Sequence, residues 1–302
     1  MNSAPLVSIV IPAFNSRFFQ RALEGALIQR YANLEVIVCD DSRGDDIRTI
    51  FDTFAKSSPV SMRYVRNPQR LGFIGNLREC LAHAQGEFIK FLCDDDQIFP
   101  QSVALQAEQL VAHADVSLVL SQRLFWDAED IQLPSRLENS PLSPTSALFK
   151  GEDLLDIVEM FPLNFLGGLS SSLFRRADVE DFLPGLTQSG HCFAALLDLA
   201  LYVCMMRRGN VLVLNNVLGV ERLHAERLSR QQAMQASVDT EQQWLIQMIK
   251  ARSGDPSLGK GWVRYQPLTD DMGAERDWKE LSLSRALGTQ QTTQAWRVGT
   301  SS

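Results

Sequence analysis

A chain of 302 residues, 45% of them hydrophobic, is long enough for one large α/β domain with a substantial core, and disorder as its main state is excluded. Its 29 Lys and Arg against 36 Asp and Glu leave a net charge of −7 and a pI near 5.2; no long basic stripe exists to release phosphate counterions, which argues against a nucleic-acid binder. Five cysteines, Cys39, Cys80, Cys93, Cys192 and Cys204, lack CxxC spacing and lie mostly in apolar runs, which points to a reducing, cytoplasmic compartment. The apolar run 6–11 is short, meets Pro12 directly and has no basic region before it, so no signal peptide is expected. No segment reaches bilayer-spanning length, which leaves peripheral membrane contact open.

In chain order, β-branched runs at 6–11 and 34–39 flank a helical spacing of apolar residues over 18–30, a βαβ unit. The alternation continues with a helix at 45–55, a strand at 61–65 and a helix at 73–84. A strand ending at Asp94, a helix at 100–114 and a strand at 116–120 complete the first half. Such a run predicts a Rossmann-like, mostly parallel sheet flanked by helices, with ligands beyond the C-terminal strand ends. A polar, Pro-containing excursion over 127–145 follows, read as a long loop or lid. Then come a helix at 152–160, a Gly-rich stretch at 164–172, a strand near 171–174, a helix at 190–208 and strands at 211–214 and 218–222. A helix at 234–251 precedes a Gly/Pro/Ser/Thr-rich tail that the pattern does not place. The expected organisation is a first half over 1–125, a smaller second half over 126–230, and a helical C-terminal extension and tail over 231–302, whose helix is a candidate surface for self-association.

The densest chemical signal is Asp94-Asp95-Asp96, directly after the apolar run 88–93. Three adjacent carboxylates repel one another unless a divalent cation neutralises them or one is protonated. Oxygen ligands of this kind suit Mg2+ or Mn2+ bound together with a diphosphate, the other reading being a solvated turn that caps the next helix. Asp40 and Asp41 end the second strand, where a carboxylate can accept the N3–H of a uracil or thymine ring, a donor that cytosine lacks. Pro12-Ala13-Phe14-Asn15 ends the first strand, and Phe14 there can lie against a base or ribose. No GxGxxG or GxxxxGK[ST] loop follows that strand, which speaks against a dinucleotide dehydrogenase and a P-loop NTPase. Asp198 interrupts an otherwise apolar helix, so it either faces a cleft or is buried and hydrogen-bonded.

Taken together, residues 7–15 (VSIVIPAFN), 35–42 (EVIVCDDS), 67–76 (NPQRLGFIGN), 86–100 (GEFIKFLCDDDQIFP), 169–176 (LSSSLFRR) and 221–229 (ERLHAERLS) resemble the family 2 inverting nucleotide-sugar glycosyltransferases, which have the GT-A fold. The resemblance covers roughly 5–230 and rests on the order and spacing of motifs that are individually weak. It implies a donor site in which Asp41 pairs with the base of a UDP- or dTDP-sugar, Pro12, Phe14 and Asn15 form the nucleoside turn, and Arg70 approaches the nucleotide. It implies that Asp95 is the metal ligand for Mn2+ or Mg2+, with Asp94 facing ribose or sugar and Asp96 in support. It further implies that His224 completes the metal or diphosphate site and that Asp198 is the catalytic base. The acceptor would be a glycan or lipid-linked hydroxyl in cell-surface polysaccharide or glycan assembly. The chain departs from the pattern at Cys93, where many members have Asp, and at Leu197, where an acidic residue is usual. His83, His113 and His191 match nothing in the family. Two rivals stand beside this reading. A sugar-nucleotide pyrophosphorylase would need a Gly-rich, basic loop after the first strand, which is missing, whereas a catalytically inactive GT-A binding or scaffold module would keep the same motifs.

Overall fold

The computed structural model describes residues 4–136, 140–180, 193–227, 232–250, 261–268 and 277–283. The chain begins with β1 (Val7–Ala13), α1 (Ser16–Leu27), β2 (Leu34–Asp40), α2 (Asp46–Ala55), β3 (Ser61–Arg66), α3 (Gly72–His83) and β4 (Phe88–Phe91). β1 pairs in parallel with β2 and β4, and β2 with β3. Every residue of β1, β2 and β4 is buried, as expected for parallel strands covered on both faces.

After β5 (Gln97–Ile98) and α4 (Ser102–Ala112) come β6 (Val116–Trp126), β7 (Ala147–Phe149), α5 (Gly151–Met160), a 3-10 turn at Leu169–Ser171, β8 (Ser172–Arg175) and α6 (Arg176–Glu180). α7 (Leu197–Met206), β9 (Asn210–Arg222), α8 (Gln232–Lys250), β10 (Trp262–Pro267) and β11 (Lys279–Ser282) complete the described chain. One mixed sheet runs β11-β10-β7-β9-β6-β8-β4-β1-β2-β3, with β5 beside β9. β8 is the antiparallel strand between β4 and β6, and β6 pairs in parallel with β9.

The period-2 alternation of strands sorts the core into two layers. Val7, Ile9, Ile11 and Ala13 of β1 pack with α1, α2 and α4 on one face, while Val10 packs with α3, α5, α7 and α8 on the other. Leu245 and Ile249 bury one face of α8 in the second layer.

Several elements differ from the sequence expectation. β6 runs to Trp126 because β9 pairs along its whole length. β9 is one strand where two were expected: Asn215-Asn216 reads as a turn, but the structure absorbs it as a register shift opposite Ser121 and Gln122. β10 and β11 add an antiparallel edge to the sheet from a tail that the pattern left unplaced. The first residues of the helix expected at 190–208 lie outside the described residues, and its described part starts at Leu197.

Candidate active site

A cavity of about 440 Å³ opens where β1, β2 and β4 end, and it gathers residues from both halves of the chain. Pro12, Phe14, Asn15, Asp41, Arg70, Asp94, Asp95, Asp198 and His224 all line it.

Asp41 is 4% exposed and follows β2 directly. Its Oδ1 accepts from Asn67 Nδ2 at 2.9 Å and from the Leu71 N–H at 2.8 Å, and its Oδ2 accepts from the Gly72 N–H at 2.9 Å. Gly72 has φ +70°, the left-handed region that favours glycine, so the 70–72 turn is shaped to present both N–H groups to this carboxylate. A carboxylate offers about four lone-pair sites, and three are used here, which leaves one on Oδ2 for a ligand. Asp40, fully buried, is occupied by Tyr64, Arg66 and the Ser42 N–H. Arg70 lies over the Phe14 ring at 4.4 Å, and Phe14 is 47% exposed, so the pair forms a flat wall at this end. Asp41→Ala is expected to weaken UDP binding by about 1.5–3 kcal/mol, the worth of a hydrogen bond to a charged group, and also to lower the melting temperature because the Leu71 and Gly72 N–H groups lose their acceptor. Calorimetry and a thermal melt read the two effects separately; unchanged UDP affinity counts against the assignment.

The carboxylate triplet sits in the loop after β4, and its members do different work. Asp94 Oδ2 accepts from the Phe14 and Asn15 N–H groups at 2.6 and 2.7 Å, which locks the β4 loop to the β1 turn. Asn15 caps α1, its Oδ1 accepting from the Arg17 N–H at 3.0 Å, and its Nδ2 donates to Glu226 at 3.1 Å. Asp96 accepts from Ser170 Oγ at 2.6 Å and from the Arg222 N–H at 3.0 Å, tying the loop to the 3-10 turn and to the end of β9. Burial first and the Asp95 charge second raise Asp94 to about 7 and Asp96 to about 8.

Among the described residues, Asp95 has no comparable backbone anchor for its carboxylate. Its Oδ2 lies 3.0 Å from His224 Nε2. The His224 ring is held between Phe18, 5.0 Å between centroids, and the loop; Arg222 lies over the same Phe18 at 4.6 Å and donates to the Asp95 and Asp127 carbonyls. These residues fit a divalent cation. Asp95 and His224 converge as oxygen and nitrogen donors, and the flanking carboxyls are pushed toward protonation first by burial and second by the Asp95 charge, which such an ion would offset.

Asp198 occupies the first turn of α7. Its Oδ2 accepts from Asn164 Nδ2 at 2.5 Å and its Oδ1 from the Leu199 N–H at 2.8 Å. Burial raises it to about 6; the Leu199 N–H opposes this, Glu221 adds to it, and Asn164 and Arg227 oppose it. The turn before α7 is capped from α8: the buried Glu241 carboxylate accepts from the Ala195 and Leu196 N–H groups at 3.2 and 2.8 Å.

The sequence argument did not single out the charge network below the cavity. Glu221 is clamped between Arg123 and Arg227. Burial works against its charge, but the two guanidiniums outweigh burial and hold it down at about 2. Arg227, which lines the cavity, is held charged against burial by Glu221, Asp96 and Asp95. Gly167, at φ +113°, admits this packing, since a Cβ there would lie 2.6 Å from Arg123. Arg227 stands inside the ERLHAERLS motif, so the signal was present, but its partner Arg123 is 98 residues from Glu221. Glu221→Ala is expected to destabilise the fold by about 3–5 kcal/mol, because it leaves two cations without their counter-charge. Since Glu221 is depressed from 4.5, its stabilisation is complete above about pH 4.5 and is lost as pH falls toward 2. Melts of the two proteins should therefore differ fully at pH 7 and converge toward pH 2, and a pH-independent difference would refute the ion-pair account. Among the histidines that matched nothing, His83 pairs with Glu79 at 3.1 Å away from the cavity, and His191 lies outside the described residues.

The layered α/β sheet with an acidic cleft at its strand ends is the architecture of the GT-A fold. The chain belongs to glycosyl transferase family 2, whose sequence profile matches residues 8–181. Over 92 residues it is 37% identical to the UDP-Glc:alpha-D-GlcNAc-diphosphoundecaprenol beta-1,3-glucosyltransferase WfaP of Escherichia coli, a match covering 30% of this chain and 36% of WfaP. Its matches to three further curated relatives span 46%, 64% and 31% of their lengths. Among solved structures it is similar to S. aureus TarS in complex with UDP-GlcNAc, with TM-score 0.59 and 15% identity over 84% of this chain and 68% of that one. It is also similar to the mannosyltransferase PcManGT from Pyrobaculum calidifontis in complex with GDP-Man and Mn2+, with TM-score 0.52 and 16% identity over 82% and 74%. These likenesses are of fold, and the fold is GT-A. Among the described residues, no helix is long and apolar enough to cross a membrane.

Proposed function

We propose that this protein is an inverting glycosyltransferase that moves one sugar from a UDP- or dTDP-sugar to an acceptor hydroxyl, with Mn2+ or Mg2+, in cell-surface polysaccharide or other glycan assembly at the cytoplasmic face of the membrane. The observation that carries the reading is a single cavity with a base-recognising carboxylate, an Asp95–His224 pair and a separately held carboxylate, Asp198. The acceptor position that Asp41 keeps free among the described residues suits the lone N3–H of uracil or thymine, whereas guanine presents two donors and cytosine has an acceptor at N3 in place of that N–H. A lipid-linked acceptor agrees with the diphosphoundecaprenol substrate in the name of WfaP.

In this mechanism the Asp198 carboxylate removes the acceptor hydroxyl proton, and the hydroxyl oxygen attacks the anomeric carbon in line. The bond to the diphosphate breaks in the same displacement, so the anomeric centre inverts and no covalent sugar intermediate forms. Asn164 and the Leu199 N–H hold Asp198 in place, and its value near 6 leaves it ionised at neutral pH yet basic enough to accept a proton. Asp95 and His224 would hold the cation, which when bound supplies positive charge to the departing diphosphate. Arg227 adds a fixed positive charge to the cavity wall. The test is nucleotide release from a panel of sugar donors with Mn2+ and polyprenyl-diphosphate glycan acceptors. UDP or dTDP release is expected. Turnover of a GDP- or CDP-sugar instead overturns the donor assignment, and nucleotide binding without turnover of any donor assigns the chain to the inactive module.

A further inference from the structure

We propose that Glu241 and Gln242, neighbours on α8, are positioning residues that hold the two supports of the Asp198 carboxylate; this rests on the reading of Asp198 as the base. α7 begins at Leu197, and the apolar Leu196 at its cap supplies no side-chain acceptor, so the N–H groups around that end need partners from elsewhere. Glu241, fully buried, meets the need: its Oε1 accepts from the Ala195 N–H at 3.2 Å and its Oε2 from the Leu196 N–H at 2.8 Å. Ser237 Oγ, one turn earlier on α8, donates to Oε1 at 2.7 Å and aims the carboxylate. Asp198 stands two residues past Leu196, and its Oδ1 takes the Leu199 N–H of the same turn at 2.8 Å. The first support of Asp198 is therefore a turn whose start is pinned by Glu241.

The second support is Asn164, whose Nδ2 donates to Asp198 Oδ2 at 2.5 Å and whose Oδ1 accepts from the Leu166 and Gly167 N–H groups at 3.1 and 3.0 Å. Gln242 ties its loop to α8, Nε2 donating to the Pro162 carbonyl at 3.0 Å. Nearby on α8, Trp244 meets Phe193 edge-on, 5.8 Å between centroids, Leu245 is fully buried, and the Met248 carbonyl accepts from Arg207 Nη1 at 3.1 Å. α8 thus grips α7 before its start and after its end, and grips the loop that carries Asn164. Burying an acid to satisfy two loop N–H groups costs desolvation that an apolar contact would avoid. What the acid adds is a fixed turn beneath the base.

The test follows the Asp198 carboxyl directly, by carbon NMR of the full-chain protein labelled at aspartate, its resonance identified by its loss in Asp198→Asn. Burial raises Asp198 to about 6, and the Leu199 N–H and the Asn164 amide both oppose that rise, so loosening either support should move its midpoint upward. Upward shifts are expected in Glu241→Gln, which keeps the shape but can accept from only one of the two N–H groups, and in Gln242→Ala. A charge effect has the opposite sign in Glu241→Gln, since removing an acid would move the midpoint down. The ionisable groups that face Asp198, Glu221 and Arg227 with Tyr202 one turn along α7, are untouched by either variant. UDP release from a UDP-sugar should fall about tenfold or more in kcat with donor KM within about twofold, the split of a misplaced base. Unchanged midpoints with only a lowered melting temperature overturn the proposal and leave Asp198 as the base. Should Glu241→Gln not fold, the half-buried Gln242 decides alone, and an unchanged midpoint in Gln242→Ala overturns it. Normal transfer by Asp198→Asn overturns the base reading and the proposal together.

Discussion

Asp95→Ala is expected to lower transfer by roughly 10³-fold or more and to remove the Mn2+ dependence of UDP binding, since a cation stabilising a leaving diphosphate is worth several kcal/mol. The fold should survive. Among the described residues the Asp95 carboxylate meets no backbone N–H, whereas its neighbours carry the structural contacts of the loop, Asp94 to the β1 turn and Asp96 to Ser170 and Arg222. After burial, its charge is the largest cause raising Asp94 and Asp96, so removing it should hold or raise the melting temperature of the metal-free protein. Full activity of Asp95→Ala in the presence of EDTA is the result that sinks the assignment. Asp94→Ala should behave differently and lower stability, because it frees two N–H groups at the start of α1.

Asp198→Asn should reduce transfer by roughly 10²–10⁴-fold while leaving donor affinity nearly unchanged, the signature of a general base that acts in the transition state. The amide keeps the shape but cannot take the proton of the acceptor hydroxyl. The pH profile supplies a second readout. With Asp198 at about 6, the rate in the unmodified protein should climb as pH rises through 6 and then level, because only the ionised carboxylate accepts a proton. The variant should lose that acidic limb. A near-normal rate with the limb intact makes Asp198 structural and sends the search for a base to other residues of the cavity.

The parts of the site that could be read from sequence were those in which chemistry breaks a local pattern. Three carboxylates after a buried strand, and one carboxylate in an apolar helix, are each improbable without a purpose, and both lie on the cavity. What could not be read was pairing at long range. Asp94 meets Asn15 across 79 residues, Arg123 meets Glu221 across 98, and Asp95 meets His224 across 129. No window of sequence contains both partners, so the motif around Asp94 does not reveal that one of its oxygens is a structural strut. The same blindness affected the sheet edge: β10 and β11 are short runs whose pairing with β7 exists only once the sheet is assembled. Local breakers misled in the opposite sense at Asn215-Asn216, where a strand tolerates a bulge that resembles a turn.

Glu241 shows how the outermost segment of the chain reaches the chemistry. It sits on α8, well past the stretch that defines the family, yet its carboxylate secures the two N–H groups just before the helix that bears Asp198. The start of the helix that carries Asp198 is thus fixed from a segment outside the residues that match the family.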